Sequence, residues 1–112
     1  MDIVLENLIT LQDLDNLTRE IKSPEYKKLG FKVEDRLATV EKAKEEIRKR
    51  IPENVLKRYD KLKARYGRGV APVVGSVCLN CFVHLPIAFV SKPGKNEKLE
   101  TCPNCGIFIY WK

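Results

Sequence analysis

Leucine and isoleucine recur at three- and four-residue steps near the amino terminus, at Leu8, Leu11, Leu14, Leu17 and Ile21. That is the period of an amphipathic helix, predicted over about residues 2 to 22. Ser23-Pro24-Glu25 then joins a capping residue to a proline at a first helical position, and Gly30 marks a chain reversal. Val33, Leu37, Val40, Lys44, Ile47 and Ile51 follow at the a/d spacing of a coiled coil, with one polar intruder at Lys44. Two helices of this kind joined by a connection of about ten residues should pack as an antiparallel hairpin. Pro52 cannot donate to a helical ladder, so it should kink the helix or restart it after Ile51. A fresh apolar stripe begins beyond it at Val55, Tyr59, Leu62 and Tyr66.

The pattern changes at Gly67-Arg68-Gly69, where Leu, Glu, Lys and Arg give way to Val, Ile, Phe and Tyr. Short strands are predicted over residues 70 to 77, 82 to 90 and 107 to 111, with a further one over 98 to 101 and a turn-rich loop over 91 to 96. Within the last strand Ile107, Ile109 and Trp111 should face one way, and Phe108 and Tyr110 the other. If the sheet has a wet face, only one set is core. The predicted fold class is α+β: a coiled-coil-like helical hairpin over residues 1 to 68, then a small β zinc ribbon over 69 to 112.

A chain of 112 residues is the size of one domain, or of a helical element joined to one small module, so a large buried active-site cavity is not expected. No apolar run approaches the ~18 residues that would span a bilayer, and no membrane association is expected. The amino terminus carries acids where a secretory signal would carry bases, which points to the cytoplasm. In a reducing compartment closely spaced thiols are metal ligands rather than disulfides. The four cysteines, Cys78-Leu-Asn-Cys81 and Cys102-Pro-Asn-Cys105-Gly106, have the spacing at which two tight turns close a tetrahedral four-sulfur shell. One structural Zn2+ is the expected occupant. Iron in the same shell is a rival that spacing alone does not exclude, and a thiol–disulfide pair is disfavoured because the context is not a βαβ unit. Gly106 suits a positive φ, Asn80 and Asn104 suit turns, and backbone N–H groups can hydrogen-bond the thiolates. His84 could supplement a ligand, but four cysteines already fill the shell. So small a module should draw its folding energy from the metal.

The formal charge of +6 is unevenly spread. Residues 1 to 41 hold six Lys/Arg against nine Asp/Glu, residues 42 to 68 eleven against four, and residues 69 to 112 four against two. Four zinc-bound thiolates and one divalent ion would bring the total to +6 − 4 + 2 = +4. Arg58, Lys61, Arg65 and Arg68 form a basic strip beside the apolar one, and Lys92, Lys95 and Lys98 surround the loop of the β module. Together they are the candidate nucleic-acid contacts, although a solvated helix face has the same pattern. The aromatics Phe82, Phe89, Phe108, Tyr110 and Trp111 are either a stacking platform for bases or the core of a small module. Core is the expectation for most, with one exposed ring left open.

Ile51 to Tyr59, Gly69 to Gly75, Cys78-x-x-Cys81, His84-Leu85-Pro86 and Cys102-Pro-Asn-Cys105-Gly106 with Ile109-Tyr110 occur here in this order. In that arrangement the chain resembles the bacterial C4-type zinc-ribbon family that carries an N-terminal helical hairpin. The resemblance implies a cytoplasmic, non-enzymatic factor that binds nucleic acid, with members linked to flagellar gene expression through RNA or an alternative sigma factor. It carries over the ligands Cys78, Cys81, Cys102 and Cys105. The helical part here is far shorter than the family's usual coiled coil, so contacts made by its distal part have no counterpart. Two functions follow as expectations: an adaptor holding RNA, DNA or a transcription-related protein, or a purely structural module, without nucleic-acid binding, whose hairpin pairs with a second copy as a homodimer or with another protein. An enzyme is the least supported class, since a closed four-sulfur shell leaves no position for water.

Overall fold

A computed structural model describes residues 1 to 28, 30, 33 to 91 and 93 to 112. Four helices lead: α1 (Ile3–Ile21), α2 (Pro24–Lys28), α3 (Val33–Arg48) and α4 (Glu53–Tyr66). A small sheet follows, formed by β1 (Val70–Val74), β2 (Val77–Cys78), β3 (Glu100–Thr101) and β4 (Phe108–Trp111), with a single helical turn, α5 (Ile87–Val90), between β2 and β3. The strand order is β2-β1-β4-β3. β1 and β4 pair in parallel, Val70 opposite Phe108 and Val73 opposite Trp111, while β2 and β3 pair antiparallel to their neighbours.

The helices begin and end where local chemistry directs. Asp2 caps α1, its carboxylate accepting from the Leu5 N–H at 3.0 Å, and the Ser23 hydroxyl accepts from the Tyr26 N–H at the start of α2. Pro52 restarts the helix, as expected, by standing at the N-cap of α4. Gly67 ends α4 with φ +80°, and its N–H donates to the Lys63 carbonyl at 2.8 Å.

α1 packs along α3, and the contacts run in reverse chain order. Leu8 and Leu11 share a cluster with Ile47 and Ile51, Asp15 meets Lys44, and Ile21 and Val40 line one hollow. The buried face of α1 runs through Leu5, Leu8, Leu11, Gln12, Asp15, Thr18 and Ile21. The predicted leucine stripe departs from it at Leu17, which is 39% exposed. Polar Gln12, Asp15 and Thr18 take the inner positions because partners await them there. Lys44, the intruder in the heptad, extends its ammonium to Asp15 Oδ1 at 3.2 Å, joined by Lys63 at 3.1 Å. Tyr59, wholly buried, donates its hydroxyl to Asp15 Oδ2 at 2.6 Å, and Gln12 Oε1 accepts the Gly69 N–H at 2.9 Å. A buried polar network thus ties α1, α3 and α4 to the entry of β1.

The sheet has no wet face at β4. Phe108 packs with Leu8, Leu11, Tyr59 and Val70 on the helical side, while Ile107 and Ile109 pack with Ala71, Val73, Leu85, Cys78 and Cys102 on the other. Both alternating sets are core, so the condition under which only one could be core is not met. The strand predicted over residues 82 to 90 is absent. That segment makes one isolated bridge, His84 to Val77, then turns at Pro86 into α5. Proline lacks the N–H a strand ladder needs and suits a helix start.

Candidate metal centre

Cys78 ends β2 and Cys102 follows β3, so each thiol pair is presented by a turn leaving the sheet. The two turns are built alike. The N–H of Cys78 donates to the Val83 carbonyl and that of Phe82 to the Cys78 carbonyl; the N–H of Cys102 donates to Ile107 and that of Gly106 to Cys102. Both turns end with a left-handed residue, Phe82 at φ +59° and Gly106 at φ +78°. Glycine adopts this conformation freely, whereas a side chain incurs ~1–2 kcal/mol.

The four sulfurs converge. All lie within 4.8 Å of one another, with Cys78 to Cys105 at 4.0 Å and Cys81 to Cys102 at 3.8 Å. A tetrahedral ion held at Zn–S of about 2.3 Å needs sulfurs about 3.8 Å apart, and a disulfide needs about 2.05 Å. The donor set therefore fits a structural ion such as zinc and does not fit disulfide pairing. Cys78 and Cys102 are buried in the apolar cluster, while Cys81 and Cys105 are half-buried toward solvent. His84 is exposed and is not among the converging ligands.

The surroundings prepare the thiols unequally. Burial pushes the Cys78 thiol up to about 12 and outweighs the N–H groups of Cys81 and Asn80; Cys102 is raised for the same reason. Burial also opposes ionisation of Cys81, but hydrogen bonds from the Asn104 side chain and the Val83 backbone, with those of the neighbouring thiols, bring it down to about 7. A divalent cation would supply the positive charge that the buried pair lacks. The two asparagines work across the site. Asn80 of the first turn donates its amide to Cys105 Sγ at 3.4 Å, and the Asn104 side chain of the second bonds Cys81. Sequence reasoning read them only as turn formers; the signal that could have found them is their identical place, two residues after the first cysteine of each pair.

α4 braces the centre, since the Tyr66 hydroxyl donates to the Cys105 carbonyl at 3.1 Å. Arg68 donates to the Leu79 carbonyl inside the first cysteine turn, so its guanidinium is engaged by the fold. Arg58, Lys61 and Arg65 are exposed along α4, with Arg58 over the Phe108 ring at 5.6 Å and Arg65 over Tyr66 at 5.2 Å. Lys95 sits 5.1 Å over Trp111 and Lys98 is exposed, while Lys92 lies outside the described residues. Phe108 and Trp111 project to opposite faces of β4, so Arg58 and Lys95 are not brought together. Of the aromatics, Phe108 is core, Phe89, Tyr110 and Trp111 are half-buried, and Phe82 is 70% exposed.

No family model and no curated protein matches the chain. Solved structures do. CT398 from Chlamydia trachomatis aligns over 71% of this chain and 34% of its own, at 18% identity and TM-score 0.60. The HP0958 protein from Helicobacter pylori aligns over 89% and 42%, at 17% identity and TM-score 0.63. A protein from Mycobacterium smegmatis aligns over 71% and 35%, at 18% and 0.56. The class defined is an α+β chain of N-terminal helices and a small four-stranded sheet with a four-cysteine cluster. The particular likeness is to these bacterial proteins, of whose length the chain spans between a third and a half. Among the described residues no helix is long and apolar enough to cross a membrane.

Proposed function

We propose that this chain is a non-enzymatic zinc-ribbon adaptor of the bacterial cytoplasm, in which one structural Zn2+ orders the cysteine turns and α4 offers a basic surface to nucleic acid. The observation that carries this reading is the convergence of four sulfurs at the edge lengths of a tetrahedral ion. The reversed contact order of α1 and α3 favours an antiparallel, coiled-coil-like hairpin as the other half. Arg58, Lys61 and Arg65 lie on successive turns of α4 in the segment where basic residues exceed acidic ones by seven, which suits contact with phosphates.

Elemental analysis of reduced protein should find one zinc per chain, and a well-folded, metal-free sample would sink the reading. Affinity for RNA or DNA should fall steeply with salt, and Lys61→Glu with Arg65→Glu should lower it at least tenfold. Unchanged affinity removes nucleic acid and leaves a protein-binding adaptor. That second reading has its own support: residues 69 to 91 contain no Asp, Glu, Lys or Arg.

A further inference from the structure

Where α1, the end of α4, β1 and the first cysteine turn meet, the surface sinks into a hollow of about 560 Å³. That volume is typical of sites for small ligands, which span ~300–1,000 Å³. Asp13, Asn16, Arg19, Arg68, Asn80 and Tyr110 line it, and its aliphatic lining is only Val70 and Pro72. Much of the hydrogen-bonding capacity of this lining is not used by the fold. A guanidinium has five N–H donors; Arg19 commits one to the Gly67 carbonyl at 2.9 Å, and Arg68 one to the Leu79 carbonyl. Asn80 donates its amide to Cys105 Sγ, which leaves its carbonyl oxygen open. Asp13 is exposed and has no hydrogen bond or ion pair among the described residues. Burial and the Asp13 charge raise the Tyr110 phenol while Arg68 lowers it, so both charges stand close to one hydroxyl. The hollow also continues the basic strip of α4: Arg65 lies over the Tyr66 ring at 5.2 Å, and Tyr66 is itself a wall of the hollow.

We infer that the hollow holds one guanine base, with the Asp13 carboxylate accepting from its N1–H and 2-amino group, Arg68 donating to O6 and N7, and Arg19 left for the attached phosphate. The mixture of charges selects the ligand. A phosphate alone would be repelled by Asp13, and a cation by both arginines. A base edge carries donors and acceptors together, and among the four bases guanine presents two adjacent donors beside two acceptors. A protein partner would need an apolar or aromatic anchor buried in a dry pocket, and a lining of charges and amides does not supply one. Bases read along this edge are unpaired, as in a single strand.

Two sources present that base. A strand reaches it only if α4 binds nucleic acid as proposed above, whereas a free guanine nucleotide does not need α4.

The test is fluorescence anisotropy of the zinc-loaded full chain with short oligouridine strands carrying one central guanine, inosine, adenine or cytosine, and calorimetry with GMP alone. The guanine strand should bind at least about tenfold tighter than the adenine or cytosine strand, with inosine, which lacks the 2-amino group, in between. Asp13→Ala should cut the guanine advantage to within about twofold. Lys61→Glu with Arg65→Glu should weaken every strand and preserve the advantage. GMP bound more weakly than the guanine strand assigns the hollow to a strand; GMP bound more tightly, and lost in Asp13→Ala, assigns it to the free nucleotide. Strands that bind equally whatever their central base, with GMP unbound, overturn the inference and leave the basic strip standing. A guanine advantage unchanged in Asp13→Ala overturns it too, as does inosine bound as tightly as guanine. If GMP binds and no strand does, the nucleic-acid reading of α4 fails while the hollow stands; if neither binds, both fail.

Discussion

Gly69 lies against the Tyr59 ring where the helices meet the sheet, and Gly69→Ala tests how the two are joined. A Cβ added there would stand 2.3 Å from Tyr59 Cδ2, 2.6 Å from Cε2 and 3.0 Å from Cγ. Carbon atoms rest about 3.5–4.0 Å apart, so the overlap exceeds 1 Å unless something moves. Neither partner is free to move. The Tyr59 ring is wholly buried and its hydroxyl is held by Asp15 at 2.6 Å; the Gly69 N–H is held by Gln12, and the Gly69 carbonyl accepts from the Phe108 N–H at 3.2 Å. Overpacking costs about 1–3 kcal/mol and a hydrogen bond to a buried carboxylate about 1.5–3 kcal/mol, against about 0.4–1 kcal/mol returned by stiffening the unfolded chain. The net expectation is a loss of about 2–4 kcal/mol, a fall of roughly 1–2 M in the urea midpoint at fixed excess zinc, followed by Trp111 fluorescence. In a Tyr59→Leu background the same substitution should cost under about 1 kcal/mol, because the obstructing ring is gone. A penalty below about 0.5 kcal/mol in the parent chain, or an equal penalty in both backgrounds, would refute the close approach.

Two further outcomes follow from the polar groups. Burial alone would raise the Asp15 carboxyl, but the Tyr59 hydroxyl and the ammonium groups of Lys63 and Lys44 outweigh it and hold the group below its ordinary 3.8. Its stabilisation is therefore complete above the unfolded value and is lost as pH falls through the lower folded value. The parent should exceed Asp15→Asn by about 2–3 kcal/mol at pH 6, and the gap should close below pH ~3.8; a gap constant to pH 2.5 would contradict the assignment. At the metal centre, Asn80→Ala and Asn104→Ala should each weaken zinc binding by roughly tenfold in a chelator competition while the stoichiometry stays at one. Equal affinities in all three proteins would show that the amide–sulfur contacts do not tune the site.

The cysteine spacing was sufficient to foresee the convergence of sulfurs, because two residues between ligands fix a tight turn locally. Gly67 was read as a change of composition and proves to be the cap that ends α4, while the start of the first helix near residue 2 and the restart at Pro52 were legible from neighbours close in the chain. Features set by distant partners were not. Asp15 and Gln12 drew no reading, because hydrophobicity does not register a polar atom whose partners, Lys44, Tyr59 and Gly69, come from other elements. Leu17 was taken into the core by periodicity, whereas the buried face of α1 runs through Asp15 and Thr18 beside it. The parallel pairing of β1 with β4 joins residues nearly forty positions apart, and it is the sheet's coverage on both sides that made Phe108 and Ile109 core together. Asn96 was read as a loop residue, yet its side chain both accepts from the Trp111 N–H at 2.7 Å and donates to the Trp111 carbonyl at 2.8 Å, standing in for a strand.

The two-sided burial of β4 also changes what a metal at the cysteines would contribute. Were the sheet open to water on its helical side, the sulfur cluster would be the main source of order for residues 69 to 112. Instead Val70 and Phe108 belong to the cluster of Leu8, Leu11 and Tyr59, and the Asp2 N–H donates to the Asn96 carbonyl at 2.7 Å. The inner strands are therefore held by the helices through contacts that involve no cysteine. An ion held by the four sulfurs would act chiefly on the outer side, where Cys78 and Cys102 pack with Leu85, Val73 and Ile109. A metal held there would order the cysteine turns, and the helices hold the strands from which those turns leave.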